Sequence, residues 1–251
     1  MFRPRVIPVL LLKDRALVKS IQFKDHRYIG DPINATRIFN ERKADELIFL
    51  DIDASRDNRT ISPDLVKSIG EEARMPFAVG GGVRSLNDIE LLIREGAEKV
   101  VINTQAGLDP GFIKAASNTF GSTTIVVCID VKMKRSNGPR AWILNGTKAT
   151  TFDPISFARL MEDNGAGELI VQSIEHDGTM NGYDIELIGS VSDAVGVPVV
   201  ALGGAGSNED LIEAYRDGHA SALAAGSLFV YQSKRRGVLI NYPDKRELPI
   251  G

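Results

Sequence analysis

The segment at residues 76–106, PFAVGGGVRSLNDIELLIREGAEKVVINTQA, is repeated at residues 198–228 as PVVALGGAGSNEDLIEAYRDGHASALAAGSL. Each copy reads as a short apolar strand, a glycine-rich turn, an amphipathic helix and a second apolar strand. Gly81 aligns with Gly203, and the offset of 122 residues is constant along both copies. The pattern predicts a protein built from two similar halves.

Short, continuously apolar segments alternate with amphipathic ones over most of the chain. Such strands are typical of a parallel sheet covered by helices, and eight of them in about 250 residues match a (β/α)8 barrel. A doubly wound open sheet is disfavoured, because no G-x-G-x-x-G turn follows the first strand. We therefore predict an α/β fold, with one (β/α)8 TIM-barrel domain over residues 1–251 and a two-fold half-barrel repeat. The predicted strands are residues 5–11, 46–52, 76–79, 99–103, 123–130, 168–173, 197–201 and 221–225.

The composition argues against several classes of protein. The chain is 43% hydrophobic and 25% charged, which is ordinary for a globular protein with a large core. Its net charge of −3 argues against general binding to nucleic acid or to an anionic membrane. The sequence shows no signal peptide, and no apolar run reaches the roughly 18 residues of a membrane span. A cytoplasmic location is therefore expected.

Cys128 and the three histidines give no strong catalytic signal. Cys128 lies inside the apolar run IVVCID, which favours a buried, unreactive thiol over a nucleophile. His26, His176 and His219 lack the spacing of metal ligands. Neither a metal site nor a cofactor is expected.

Two glycine-rich turns, GGGVRS and GGAGSN, each precede a helix capped by a serine. Backbone N–H groups in such turns can bind a phosphate, although paired glycines also occur where a turn is merely tight. In each half the next strand ends in a second small polar cluster. These clusters contain Asn103, Thr104, Gly226 and Ser227. Two phosphate cups at one barrel mouth would suit a long ligand that is phosphorylated at both ends.

Four charged residues stand at the starts of strands, at the opposite end of the predicted barrel. They are Arg5, Glu46, Lys99 and Glu168. Charges of both signs in one layer can pair into a ring that closes the barrel floor, and structural closure is the default interpretation at this end. Residue chemistry alone leaves a functional role open.

Several motifs together resemble the cyclase subunit of imidazole glycerol phosphate synthase, the HisF family, from Arg5 to about Phe229. They are KDRALVKS, GDP, DELIFLDI, PFAVGGGVR, GAEKVVINT, CIDVK, GAGELIVQSIEHDGT, GYD and ALGGAG. In that family a glutaminase docks at the barrel bottom, and ammonia passes through a charged gate to the top. There it reacts with a bisphosphorylated ribulosyl-formimino intermediate of histidine synthesis. The products are imidazole glycerol phosphate and aminoimidazole carboxamide ribotide.

The resemblance implies roles for individual residues of this chain. The four charged residues at the strand starts would form the ammonia gate, and Lys19 would be the lysine of a mobile loop that binds substrate. Asp130 would be one of two catalytic aspartates at the C-terminal ends of the first and fifth strands. The other implied phosphate and substrate ligands are Gly82, Asn103, Thr104, Asp177, Gly178, Gly203, Gly204, Ala225, Gly226 and Ser227.

The chain departs from the family pattern in three places. The first catalytic aspartate falls on Leu11, a position that the match of Lys13 with Lys132, at an offset of 119 residues, also aligns with Asp130. A leucine cannot transfer a proton and Asp14 lies beyond the strand, so independent cyclase activity is not expected. Gln172 replaces the threonine that is usual in the sixth strand. Residues from about 230 to 251 read as an extended tail where the family has its last helix.

These departures resemble a paralogous, WbuZ-type branch associated with amidation of surface-polysaccharide sugars. A barrel of that branch would conduct ammonia from its own glutaminase, while a separate amidotransferase turns an acetamido sugar into an acetamidino sugar. We therefore expect a subunit of a glutamine-dependent amidotransferase complex. A histidine-pathway cyclase is the leading alternative, followed by a sugar-phosphate isomerase of the same barrel ancestry. A purely structural barrel would leave the duplicated phosphate turns unexplained.

Overall fold

Twelve strands form one sheet in this computed structural model, which describes residues 3–134, 137–232, 237–244 and 248. In chain order the strands are β1 (Arg5–Lys13), β2 (Ala16–Ile21), β3 (Lys24–Gly30), β4 (Leu47–Asp51), β5 (Phe77–Gly80), β6 (Lys99–Ile102), β7 (Ile125–Met133), β8 (Pro139–Ile143), β9 (Lys148–Ala149), β10 (Glu168–Ser173), β11 (Val199–Leu202) and β12 (Ala222–Ala225). The helices are α1 (Pro32–Glu41), α2 (Pro63–Glu72), α3 (Leu86–Arg94), α4 (Thr104–Leu108), α5 (Gly111–Phe120), α6 (Pro154–Asp163), α7 (Ile185–Ser192), α8 (Asn208–Arg216) and α9 (Ser227–Val230). None of these helices is long and apolar enough to cross a membrane.

Eight of the strands are parallel and close into a barrel, in the order β1, β4, β5, β6, β7, β10, β11 and β12. The barrel closes where β12 pairs with β1, with Ala222 opposite Arg5. All eight predicted strands are present among the described residues, and only their ends differ. The predicted (β/α)8 barrel is therefore confirmed.

Alternation along β1 shows how the sheet separates two apolar cores. Val6 and Leu10 pack outward against the helices, whereas Ile7 and Val9 belong to the cluster that fills the barrel interior. Successive side chains of a strand point to opposite faces, so every second residue points inward. Leu11 is the next inward residue, and it lies at the upper end of the barrel.

The two sequence repeats fold into the same local structure. The Ser85 hydroxyl accepts from the N–H of Asp88, and the Asp88 carboxylate accepts from the N–H of Ser85, at the start of α3. Ser207 and Asp210 form the same capping box at the start of α8. Each box satisfies backbone donors that the helix itself leaves unpaired.

Two antiparallel hairpins follow the first and fifth strands of the barrel. β2 pairs with β1 and β3, while β8 pairs with β7 and β9. The apolar pattern does not predict either hairpin, because β3 is mostly exposed and β9 contains only two residues. Both hairpins continue strands beyond their C-terminal ends, so they form walls around the barrel mouth.

The described part of the tail after α9 contains no helix and one isolated β-bridge. Tyr231 forms a β-bridge with Val238, and the N–H of Leu239 donates to the carbonyl oxygen of Val230. Tyr242 is buried against the rings of Phe39 and Phe229. The remaining predicted tail residues, 233–236, 245–247 and 249–251, lie outside the described residues.

Candidate functional site at the two ends of the barrel

The four charged residues at the strand starts form a ring of ion pairs across the barrel floor. Arg5 pairs with both Glu46 and Glu168, and Lys99 pairs with the same two carboxylates at 3.1 and 2.9 Å. Both glutamates are buried, so each needs the positive charges around it. Burial alone would lower the pKa of Arg5, but the two carboxylates outweigh it and raise that pKa. The ring is present as predicted, and its role as an ammonia gate stays a prediction.

The barrel interior above this ring is apolar. Ile7, Ile48, Val101 and Ile170 fill it together with small alanine side chains such as Ala78. Removing an ion from water into such surroundings is costly, whereas a small neutral molecule meets no comparable penalty. The interior therefore separates the charged ring from the polar mouth.

A cavity of about 100 Å³ opens at the barrel mouth. It brings together the first glycine turn, the first small polar cluster and the upper end of β7, which lie far apart in the sequence. Its lining includes Leu11, Leu50 and Val101 on the apolar side, and Ser20, Gly82, Asn103, Thr104, Asp130 and Gln172 on the polar side.

Asp130 is the buried acid of this cavity. Burial raises the pKa of Asp130 to about 7; a hydrogen bond from the Cys128 thiol opposes the rise, and the charge of Asp177 adds to it. The Asn103 amide also donates to the Asp130 carboxylate, at 3.3 Å. A carboxyl group that titrates near neutral pH can both donate and accept a proton under ordinary conditions. These properties make Asp130 a candidate for acid–base chemistry, and its catalytic role stays a prediction.

Leu11 occupies the position where the resemblance implies a second aspartate. Its half-buried side chain lines the mouth cavity and a smaller cavity beside it. Asp14 is exposed in the turn after β1, with φ of 48°, and it lines neither cavity. An apolar side chain therefore stands at this end of β1, where the resemblance implies a proton-transfer group.

Lys19 lies in strand β2 of the hairpin that connects β1 to α1, where β2 pairs on one side with β1 and on the other with β3. Its ammonium group donates to the carbonyl oxygen of Val9 and lies 2.3 Å from where a Cβ on Gly226 would stand. Burial lowers the pKa of Lys19 to about 8, and the nearby carboxylate of Asp177 opposes this change. A role for Lys19 in substrate binding stays a prediction.

Asp177 lies beside this lysine at the smaller cavity, whose volume is about 20 Å³. Its carboxylate accepts from the Ser20 hydroxyl at 3.2 Å and from the Gln172 amide at 3.3 Å. Burial raises the pKa of Asp177, while Lys19 and these donors act in the opposite direction. The group anchors the β2–β3 hairpin to the barrel mouth, a contact that the sequence motifs do not reveal.

The predicted glycine ligands are also required by close packing of the loops. A Cβ on Gly82 would stand 1.8 Å from the carbonyl oxygen of Arg59, and one on Gly204 would stand 2.0 Å from that of Gly182. A Cβ on Gly178 would meet the carbonyl oxygen of Ser20 at 2.1 Å. The tight-turn interpretation thus explains these glycines without a ligand, so phosphate binding at these turns stays a prediction.

The second polar cluster is arranged differently from the first. Ser227 lines the smaller cavity beside Gly226, whereas Ala225 belongs to the core between sheet and helices. Gly203 packs under Ser173, whose carbonyl oxygen would be 2.8 Å from a Cβ at that position. The ammonium group of Lys19 lies beside Gly226 at this second predicted phosphate cup, and phosphate binding there stays a prediction.

Sequence reasoning missed the part of this site that involves Cys128 and Trp142. The Cys128 thiol lies 3.4 Å from Asp130 Oδ1, and the Asn103 amide contacts the carbonyl oxygens of Cys128 and Trp142. The spacing of Cys128 and Asp130 by two residues in a strand was the available signal, because it places both on one face.

Comparisons with known proteins agree with this geometry. A family model described as "Histidine biosynthesis protein" matches residues 5–234. The chain is 46% identical, over the full length of both chains, to a Pseudomonas aeruginosa protein named "Putative imidazole glycerol phosphate synthase subunit hisF2". It is 43% identical over 245 residues to a Leptospira borgpetersenii protein named "Putative imidazole glycerol phosphate synthase subunit HisF", covering 97% of this chain and 96% of that one. A Vibrio vulnificus protein named "Putative imidazole glycerol phosphate synthase subunit hisF3" is 41% identical, covering 98% of this chain and 95% of that one.

The fold and the two ends of the barrel define a (β/α)8 barrel with a two-fold repeat and an acid-bearing cavity at its mouth. The chain belongs to the histidine biosynthesis protein family, and within it to the HisF-like barrels.

Proposed function

We propose that this chain is the barrel subunit of a glutamine-dependent complex, in which a partner glutaminase supplies ammonia at the lower end of the barrel. One observation carries the proposal: the buried ion-pair ring, the apolar interior and the cavity that contains Asp130 follow one another along the barrel. Ammonia is neutral and small, whereas ammonium is charged. An apolar interior between two polar ends would therefore favour passage of the neutral form.

A HisH-like glutaminase is the partner that this arrangement suits. The relatives carry names of synthase subunits, and the resemblance to HisF barrels implies a glutaminase at the gate end. Arg5 and Lys99 keep 29% and 21% of their side chains exposed, whereas the glutamates of the ring are covered. The two cations are therefore the part of the ring that a docked partner would meet first.

We further propose that the delivered ammonia amidates a sugar of surface-polysaccharide synthesis. In this proposal a separate amidotransferase converts the acetamido group into an acetamidino group. Leu11 supports it, because an apolar side chain there leaves Asp130 without the second carboxylate that cyclisation uses. The barrel would deliver ammonia and hold a phosphorylated ligand near Gly82 and Thr104, without building a ring itself.

A histidine-pathway cyclase is the second candidate function, and Asp130 favours it. A carboxyl group with a pKa of about 7 suits proton transfer near neutral pH, and the relatives have names of imidazole glycerol phosphate synthase subunits. A sugar-phosphate isomerase is less well supported, because it would also need paired carboxylates where Leu11 stands.

The test is to mix the purified barrel with a HisH-like glutaminase from the same genome and to measure co-elution and glutamate release. We expect a complex at micromolar concentration and faster glutamine hydrolysis within it. Lys99→Ala should reduce the stimulation, while Lys114→Ala, on the exposed face of α5, should leave it unchanged. Separate elution of the two proteins, with an unchanged rate of hydrolysis, would contradict the proposal.

A further inference from the structure

Both oxygens of the Asp130 carboxylate are held by neighbouring donors. Cys128 Sγ lies 3.4 Å from Oδ1, and Asn103 Nδ2 lies 3.3 Å from Oδ2. The two donors come from different strand ends, since Cys128 belongs to β7 and Asn103 follows β6. A carboxylate has about four lone-pair sites. These two contacts therefore fix its plane while leaving acceptor capacity for a ligand or a proton.

The orientation of the Asn103 amide is determined by its surroundings. Its Nδ2 also lies 3.0 Å from the carbonyl oxygen of Cys128 and 3.2 Å from that of Trp142. Carbonyl and carboxylate oxygens only accept hydrogen bonds, so the NH₂ group faces all three, and its two N–H donors are shared among them, with Asp130 Oδ2 the most distant acceptor. The Asn103 amide nitrogen is thus committed to protein groups, whereas its oxygen accepts from the Thr104 hydroxyl at 3.3 Å.

Cys128 is the less expected of the two donors. Its side chain is buried in the barrel interior and also lines the floor of the mouth cavity. Burial and the adjacent Asp130 charge raise the pKa of the Cys128 thiol well above its ordinary value. The thiol therefore keeps its proton at neutral pH and can donate it to the carboxylate.

We propose that Cys128 and Asn103 are positioning residues for Asp130: the thiol holds Oδ1, the amide holds Oδ2, and together they set the plane and the proton affinity of the acid that meets the ligand. This inference rests on the proposed function only in assigning Asp130 to the ligand. Cys128 acts through Asp130 and need not touch the ligand itself. Its contribution stabilises the ionised carboxylate, because a hydrogen bond to a charged acceptor favours the charged form.

Other charged and titratable groups lie near Asp130 and also influence its protonation. Asp177 raises the pKa of Asp130 from the side of β10, and Lys19 of β2 lies next to Asp177. Asp51, paired with Arg59, and His26 of β3 line the same mouth cavity. A substitution at Cys128 leaves all of these groups in place. A change in the titration of Asp130 in such a variant would therefore result from the loss of the thiol.

The first measurement is the S–H stretching band in the infrared spectrum as a function of pH. The chain contains one cysteine, so this band reports Cys128 alone. We expect the band to move to lower frequency as Asp130 ionises, with a midpoint that matches Asp130, and to become independent of pH in Asp130→Asn. A band that stays fixed throughout the titration of wild-type Asp130 would overturn the proposal.

The second measurement is a carbon-13 NMR titration of the Asp130 carboxyl group, assigned by its absence in Asp130→Asn. Cys128→Ala should raise the midpoint by roughly half to one pH unit, since a thiol is a weak donor and one unit corresponds to a modest change in interaction. Cys128→Ser, which restores a donor of similar size, should bring the midpoint back to or below that of the wild type. An unchanged or lowered midpoint in Cys128→Ala, or a serine variant that behaves like alanine, would overturn the role of the thiol. Neither measurement requires a partner or a substrate, so failure here is distinguishable from failure of the proposed function.

Discussion

Leu11 and Asp130 line one cavity from opposite sides of the barrel, because their strands, β1 and β7, are four steps apart in a ring of eight. β1 and β7 are the first strands of the two repeated halves, and the match of Lys13 with Lys132 aligns these two positions with each other. In this chain one half supplies a buried acid and the other supplies a leucine. The two repeated halves therefore build the barrel mouth together, but they place different chemical groups at these two positions.

The ion-pair ring is expected to matter for stability as well as for the gate. Lys99→Ala leaves two buried carboxylates with Arg5 as their neighbouring cation, and removing one partner from a buried pair is strongly destabilising. We expect the free energy of unfolding to fall by about 2–4 kcal/mol. Urea denaturation of Lys99→Ala beside Lys114→Ala provides the comparison, and equal losses in both variants would show that the ring does not stabilise the barrel.

The raised pKa of Asp130 predicts how stability depends on pH. In the unfolded chain this carboxyl ionises near its ordinary value of about 3.9, whereas in the folded protein it ionises near 7. Between these values the folded state binds the extra proton, so this group makes stability fall as pH rises from about 4 to about 7. Above that window its contribution stays at the reduced level.

Asp130→Asn removes this contribution and is the variant that checks it. We expect the stability of the variant relative to wild type to rise by about 2–4 kcal/mol between pH 4 and pH 8, from the shift of roughly three pKa units. Denaturation by urea at the two pH values measures the difference. A wild type and variant that respond equally to pH would show that the acid is not perturbed.

Much of the fold follows from the sequence because the signals are local and repeated. The capping box at Ser85 recurs at Ser207, and continuous apolar strands such as β7 are typical of a covered parallel sheet. The hairpins are not predictable in this way, because β3 exposes most of its residues and carries no clear alternation. Their register depends on contacts such as that between Gln22 and Asp177, which are distant in sequence.

The site was only partly predictable for the same physical reason. Residue types and strand ends indicate Asp130 and the charged ring, but the pKa of Asp130 depends on burial and on Asp177, which only the fold brings near. Lys19 illustrates the limit: its motif implies a ligand-binding lysine, while the pairing of β2 on both sides places it in a strand. A motif identifies the residue, whereas the tertiary contacts determine its secondary structure, its burial and its pKa.

The tail is expected to stabilise the lower end of the barrel through Tyr242. Its hydroxyl donates to the carbonyl oxygen of Val6 at 2.9 Å and also lies 3.1 Å from Asp45 Oδ2. Tyr242→Phe retains the ring that packs against Phe39 but removes these contacts, so we expect a loss of about 1–2 kcal/mol. Thermal or urea unfolding measures it.

Tyr28→Phe is the matched control for the tail, since Tyr28 is 67% exposed on β3. It should change stability by less than about 0.5 kcal/mol, as is usual for an exposed position. If Tyr242→Phe is as stable as this control, the hydroxyl does not anchor the tail.

Anion binding near Gly226 is expected to be coupled to the protonation of Lys19. The pKa of Lys19 is lowered to about 8 by burial, so at pH 8.5 a large fraction of this amine is neutral. An anion in the second cup would favour the charged form and draw a proton from the solvent. Sulfate is a suitable probe, because it does not itself titrate in this range.

Calorimetry in two buffers with different ionisation enthalpies measures this uptake. We expect sulfate binding at pH 8.5 to take up a fraction of a proton in the wild type and none in Lys19→Met. Binding without proton uptake, or equal uptake in both proteins, would show that Lys19 does not serve the second cup.

We propose that Leu11 separates this barrel from an ordinary two-aspartate cyclase, and the rate of cyclisation tests this difference. The isolated wild type and Leu11→Asp are each supplied with ammonium salt and the ribulosyl-formimino bisphosphate. The loss of one positioned acid or base typically costs about 10²–10⁴ in rate, or roughly 3–5 kcal/mol of barrier. We expect the wild type to be slow or inactive and Leu11→Asp to be measurably faster, with the gain abolished by adding Asp130→Asn. Rapid cyclisation by the wild type, with no gain from Leu11→Asp, would show that Leu11 does not limit the reaction.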